Sequence, residues 1–192
     1  MLHLNLSSFL RFTGVCSIIS GILFLSLAIW YNTSLGQIGA YVNLIGMVFL
    51  LFGLVGIYLY QMNAVGVFVF ITFVLFFIGT ALWMGFGWVE VFVIPALEEI
   101  APEILADSPP ALLNIGMFTS LIFFFVGLLL FALVTAWKGI HPRGAAILLV
   151  LVPFLDFIPF GSYVGQPLAG VALIWLGYSI WKGKYEEVGH GN

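Results

Sequence analysis

The sequence predicts an all-α bundle of membrane-spanning helices, one integral membrane domain over residues 1–192. Three observations carry this. The chain is 63% hydrophobic and only 7% charged, against roughly 25% charged in ordinary soluble domains. Its mean hydropathy is +1.22. Uncharged apolar runs recur along its whole length, and the short alternating segments of a membrane barrel are absent. Backbone groups in hydrocarbon must be satisfied within their own segment, so runs of this kind form helices.

Taken in order, the runs that reach the roughly 20 residues a helical span needs are 9–31, 38–60, 65–88 and 112–137. The first contains Arg11 near its start and continues past Trp30 without a small-residue cleavage site, so it reads as an uncleaved span. The stretch from Ala145 to Trp181 holds two shorter spans, about 145–160 and 164–181, with Gly161-Ser162-Tyr163 as the turn; one span plus a re-entrant piece is the alternative. Trp30, Trp88, Trp137 and Trp181 stand at the ends of runs, where an amphipathic ring is half wet. Between the third and fourth spans lies an amphipathic segment, 89–110. Leu97, Ile100, Ala101, Ile104 and Leu105 share one helical face and the carboxylates take the other. Pro95 suits a first helical turn and Pro102 breaks one, so two short helical pieces are expected, either on the outer leaflet or across the bundle mouth as a lid.

Charge orients the spans. The basic residues are Arg11, Lys138, Arg143, Lys182 and Lys184, and a six-span arrangement puts all of them, and both termini, on one side. The positive-inside rule makes that side the cytoplasm of a cell membrane, in a bacterial type of protein. Glu90, Glu98, Glu99, Glu103 and Asp107 then lie outside with no base among them. A count of five spans would break this separation. The third and sixth spans share a pattern, Gly79-Thr80-Ala81-Leu82-Trp83 against Gly170-Val171-Ala172-Leu173-Ile174-Trp175, and the first and fourth both end in Trp. An inverted 3+3 repeat of the kind used by small transporters produces such a pattern.

Asp156 is the most informative polar residue, because it lies between Pro153 and Pro159 in an apolar run. A carboxylate facing lipid at mid-span costs roughly 2.5–3.5 kcal/mol on insertion scales, so it faces a partner or a wet cavity, is protonated, or caps the turn at the outer end of the fifth span. Asn43 offers a hydrogen bond across helices, and Glu90 lies just beyond Trp88, on the same side as Asp156. Two close carboxylates would raise one pKa and share a proton or cation. Gly39, Gly46, Gly53, Gly161, Gly165, Gly170 and Gly177, with Gly14 and Gly21, recur at helix-facing intervals and suit close packing inside the bundle or between copies.

Other chemistry is thinly represented. Cys16 is the only cysteine and reads as a packing residue, and His3, His141 and His190 are scattered over termini and one turn. No metal constellation, catalytic set, cofactor fingerprint or nucleic-acid surface is expected. Asn32-Thr33-Ser34 fits a glycosylation acceptor on the outer side. The short basic start, glycine-rich aromatic spans and acidic outer loop resemble many small bacterial membrane proteins, and no motif is specific to one family. The leading expectation is a transporter, channel or transport accessory with a small ligand or cation near Asp156, Glu90 and Asn43. A sensor, immunity factor or partner-binding subunit that uses its glycine faces is the alternative, and an embedded enzyme acting on a lipid or quinone is the weakest.

Overall fold

The computed structural model describes residues 5–30, 36–106, 111–155, 158–159 and 161–183. Asp156, Asp107, Lys184 and the Asn32-Thr33-Ser34 triplet lie outside the described residues. All regular structure among those described is helical: α1 Leu6–Trp30, α2 Gly36–Val65, α3 Val67–Trp88, a π-helical segment Val89–Val93, α4 Ile94–Ile100, α5 Glu103–Ala106, α6 Ala111–Lys138, α7 Arg143–Leu155 and α8 Ser162–Trp181. Among the described residues five helices are long and apolar enough to cross a membrane, and α7, with 13 residues, is an apolar helix of shorter length.

The long helices and α7 close on themselves. In chain order α1, α2, α3, α6, α7 and α8 each pack on the next, and α8 returns to pack on α1. Leu50, Leu54, Ile57, Phe131 and Leu176 are fully enclosed, whereas Phe68 is 74% exposed and Leu112 81% exposed on the outside. An exterior this apolar, spread over every long helix, is what a multi-pass membrane protein presents to lipid.

Without a hydrophobic drive between helices, close approach has to come from small residues. At the α1–α8 crossing a Cβ on Gly21 would stand 2.5 Å from the Gly170 carbonyl oxygen, and one on Gly170 would stand 2.5 Å from that of Gly21. Two turns away Gly14 and Gly177 repeat the arrangement, at 2.9 and 2.5 Å. The reversed order makes the pair antiparallel, with backbone on backbone. The α3–α6 crossing uses the same device: a Cβ on Gly79 would stand 2.5 Å from the Phe123 backbone, and one on Gly127 2.5 Å from that of Phe76. Across α1 and α2, a Cβ on Gly53 would stand 2.9 Å from the Ser17 backbone, and the Ser20 hydroxyl donates to the Gly46 carbonyl at 2.9 Å. Gly39 and Gly165 are buried. Gly161 sits against the Leu155 carbonyl in the turn before α8.

These antiparallel pairings sort the charges. Arg11, Lys138, Arg143 and Lys182 gather at one end of the bundle, while Glu90, Glu98, Glu99 and Glu103 belong to the other, where Phe92 packs edge-on against Tyr41 at 5.8 Å. Gly66 (φ 69°) is the single residue linking α2 to α3 and adopts a left-handed conformation that other residues resist.

Two elements end where the sequence did not place them. The third span does not stop at Trp88: the helix continues through the π-helical turn to Ile100, 34 residues in all. At ~1.5 Å per residue that is about 51 Å, longer than the ~30 Å hydrocarbon core. The chain breaks at Ala101–Pro102 into α4 and α5, because Pro102 has no N–H to continue the ladder. Neither piece crosses the mouth as a lid. Among the described residues α4 packs only on the π-helical segment and on α5, and Ile100 is 80% exposed. The second difference is α7, which stops at Leu155 rather than reaching residue 160. A turn follows, with Ile158 N–H donating to Leu155 O (3.1 Å) and Gly161 N–H to Ile158 O (2.9 Å), so α8 begins at Ser162 and the expected Gly161-Ser162-Tyr163 turn lies slightly earlier. Pro159 disfavours helical geometry at residue 158 and enforces the break.

Substitution separates crossing glycines from idle ones. Gly21→Leu and Gly170→Leu should each cost about 1–3 kcal/mol through overpacking against backbone, and Gly53→Leu should behave alike. Gly46→Leu should cost less, because its neighbour is the movable Phe24 ring, and Gly116→Leu, with nothing nearby, should leave stability unchanged. Thermal unfolding in detergent measures this; equal Tm for Gly21→Leu and Gly116→Leu would contradict the crossing.

Candidate functional site

Inside the ring lies a cavity of about 100 Å³. Its wall is mostly apolar, including Phe24, Met47, Leu50, Phe76, Phe124 and Leu173, and Asn43 and Gln166 bring amides to it. No charged side chain lines it among the described residues. Asn43 lies seven residues into α2 and Gln166 four residues into α8, both counted from the acidic end of the bundle. The cavity therefore has an amide-bearing region near that end and an apolar depth reaching Ile57 and Phe131. The Oε1 atom of Gln166 is buried without a hydrogen-bond partner. In a core of low polarity, an acceptor left unmade costs ~1–3 kcal/mol.

The residues expected to form the site do not all converge. Asn43 lines the cavity, half-buried. Glu90 is exposed on the π-helical segment and is not part of the wall, whereas its neighbour Val91 turns into the protein at 2% exposure. Gln166 was not among the sequence candidates, although an amide inside an apolar run beside Pro167 is itself a signal.

A second buried polar group closes the basic end. His141, 2% exposed, was expected in the cytoplasm-facing turn between Lys138 and Arg143, but its ring inserts between α2 and α8. Its Nε2 lies 3.1 Å from the Ile57 carbonyl, which can only accept, so the Nε2–H tautomer is placed there. Its Nδ1 lies 3.4 Å from the Ser179 hydroxyl, which donates to Leu176 O at 2.7 Å. The Tyr60 ring covers it at 5.1 Å. Beside it Gln61, fully buried, donates from Nε2 to the Thr135 hydroxyl at 3.0 Å and leaves its Oε1 unpaired. Ile57 joins the two regions, since its side chain lines the cavity and its carbonyl holds His141.

Burial pushes the His141 pKa down to about 4, and the Ile57 carbonyl opposes this more weakly. The ring is therefore neutral near pH 7. Among the described residues no group of three or more His, Cys, Asp or Glu lies close enough together to hold a metal ion. Cys16 is buried in α1. No protein-family model, curated protein or solved structure matches the chain.

A native pKa below the ordinary 6.5 means that the unfolded chain binds more protons between those values. Stability from neutral His141 is then complete above pH 6.5 and is lost as pH falls from 6.5 toward about 4. The full shift corresponds to roughly 3 kcal/mol. Unfolding followed from pH 7.5 to 4.5 should show Tm falling in the parent and a shallower fall in His141→Asn. Parallel curves would show that His141 does not carry the dependence.

Proposed function

We propose that the chain is a small six-span transporter of the cell membrane, with both termini in the cytoplasm and its site in the outer half of the bundle. The observation that carries this reading is the short α7 beside the central cavity. Thirteen residues span about 20 Å at ~1.5 Å per residue, short of the ~30 Å hydrocarbon thickness. The described helix therefore ends at Leu155, short of a full crossing, and a helix broken at membrane depth is tolerated where the break is buried in protein or lines a wet cavity. Val152 before the break and Gln166 after it both line the cavity, and the sequence between them contains the ionisable Asp156.

Two further features support the reading. Arg11, Lys138, Arg143 and Lys182 gather at one end, which the positive-inside rule assigns to the cytoplasm. Gly79 and Gly170, equivalent in the proposed 3+3 repeat, each press on the backbone of a neighbouring helix, α6 in one half and α1 in the other. Partner binding through glycine faces is the less favoured role, because the crossing glycines are occupied inside the bundle.

Reconstitution in liposomes with an imposed pH gradient tests the proposal. The parent should dissipate the gradient faster than protein-free liposomes, and Asp156→Asn should melt at the parent temperature yet lose that flux. Flux unchanged in Asp156→Asn would remove the proton site, and no flux from the parent would favour a non-transporting role.

A further inference from the structure

We propose that the central cavity binds a small neutral amphiphile carrying a hydroxyl group, with the hydroxyl donating to Gln166 and the apolar body packed among Met47, Leu50, Phe124 and Leu173. The claim rests on reading this cavity as the working site, and it holds whether or not the protein transports what it binds.

Each part of that description follows from the wall. The ligand is neutral because no charged side chain among the described residues lines the cavity, and an ion taken out of water without a partner is strongly disfavoured. The ligand brings a donor because Gln166 lines the cavity and its amide holds a buried oxygen with no partner, which a turn of that amide toward the cavity would present to a hydroxyl. It is amphiphilic because Asn43 and Gln166 lie toward one end, while the depth is made by Ile57, Phe76, Leu128 and Phe131. Size narrows it further. The cavity, about 100 Å³, is of the order of the ~150 Å³ engineered apolar cavity that stays dry and takes benzene. A single ring or a short stretch of chain fits, and a bulky solute does not. Ring contact is available on several sides, since Phe24, Phe76, Trp83 and Phe124 all face it.

Such a hydroxyl belongs either to an aromatic solute entering from water or to a chain alcohol supplied by the membrane. Fluorine NMR on the purified protein in detergent reads the binding directly, with 4-fluorophenol as probe and fluorobenzene as its hydroxyl-free counterpart. The phenol should bind about 10-fold more tightly, the factor that one buried hydrogen bond supplies. In Gln166→Leu that preference should shrink to about 2-fold while fluorobenzene binding persists, which also reports an intact fold; Gln166→Met serves if the leucine variant does not fold. Ala169→Leu should weaken both probes by filling the wall. Displacement of 4-fluorophenol by 1-hexanol but not by hexane assigns the site to chain alcohols of the kind a membrane supplies, and displacement by p-cresol alone assigns it to aqueous phenols. Equal affinity for the two fluorinated probes, binding of neither, or an unchanged preference in Gln166→Leu would overturn the proposal. Phenol binding without liposome flux would keep this site and remove transport, and flux without phenol binding would do the reverse.

Discussion

The direct backbone contact between the first and last helices is the constraint on which the rest of the bundle depends. In lipid, apolar side chains gain little by meeting each other rather than acyl chains, so helix association rests on dispersion at short range and on polar contacts. Gly14, Gly21, Gly170 and Gly177 remove side chains where α1 and α8 cross, and Cα–H groups can then approach carbonyl oxygens of the opposite helix. Ser17 adds a bond from its hydroxyl to the Leu173 carbonyl at 2.9 Å in the same seam. Because α1 and α8 stand at opposite ends of the chain, this contact turns a row of sequential hairpins into a closed ring.

Closure brings a second consequence. Helices held by backbone contact at α1–α8 and α3–α6 cannot slide inward to fill the centre, so the space between them persists. At ~24 cal/mol per Å³, an empty cavity of about 100 Å³ costs roughly 2 kcal/mol. The unpaired Oε1 atoms of Gln166 and Gln61 add to that cost. A bundle that keeps such a space, with an amide at its wall and a terminated helix beside it, places its least stable features together. His141 closes the basic end with a neutral ring that donates to the Ile57 carbonyl and lies beside Ser179, so each end of the bundle buries a polar side chain.

Much of the fold was legible in the sequence because membrane physics writes it there in simple terms. Apolar length locates Leu6–Trp30 and Ala111–Lys138 to within a few residues, and the glycine spacing singled out Gly46, Gly53, Gly170 and Gly177. What stayed hidden depends on tertiary partners. The extension of α3 through a π-helical turn leaves no periodic mark, because residues 89–93 are as apolar as the span before them apart from Glu90. Gly127 passes unnoticed alone, and its role appears only when Phe76 of another helix is set against it. His141 looks like part of a charged turn, and only the fold shows that its ring lies inward. Of the site residues, Asn43 reached the cavity, Glu90 did not, and Asp156 falls outside the described residues, while Gln166 became visible through the unpaired oxygen.

The central claim, that α1 and α8 close the ring by contact, is tested most directly by joining them. Ser17 and Leu173 are neighbours across the seam, so Ser17→Cys with Leu173→Cys, in a Cys16→Ser background and with a protease site placed in the connection before Ala111, can be treated in native membranes with a short, reducible thiol cross-linker. The account predicts that after proteolysis the N- and C-terminal halves still migrate as one species and separate on reduction. Halves that separate without reductant, in protein that remains folded, would contradict ring closure.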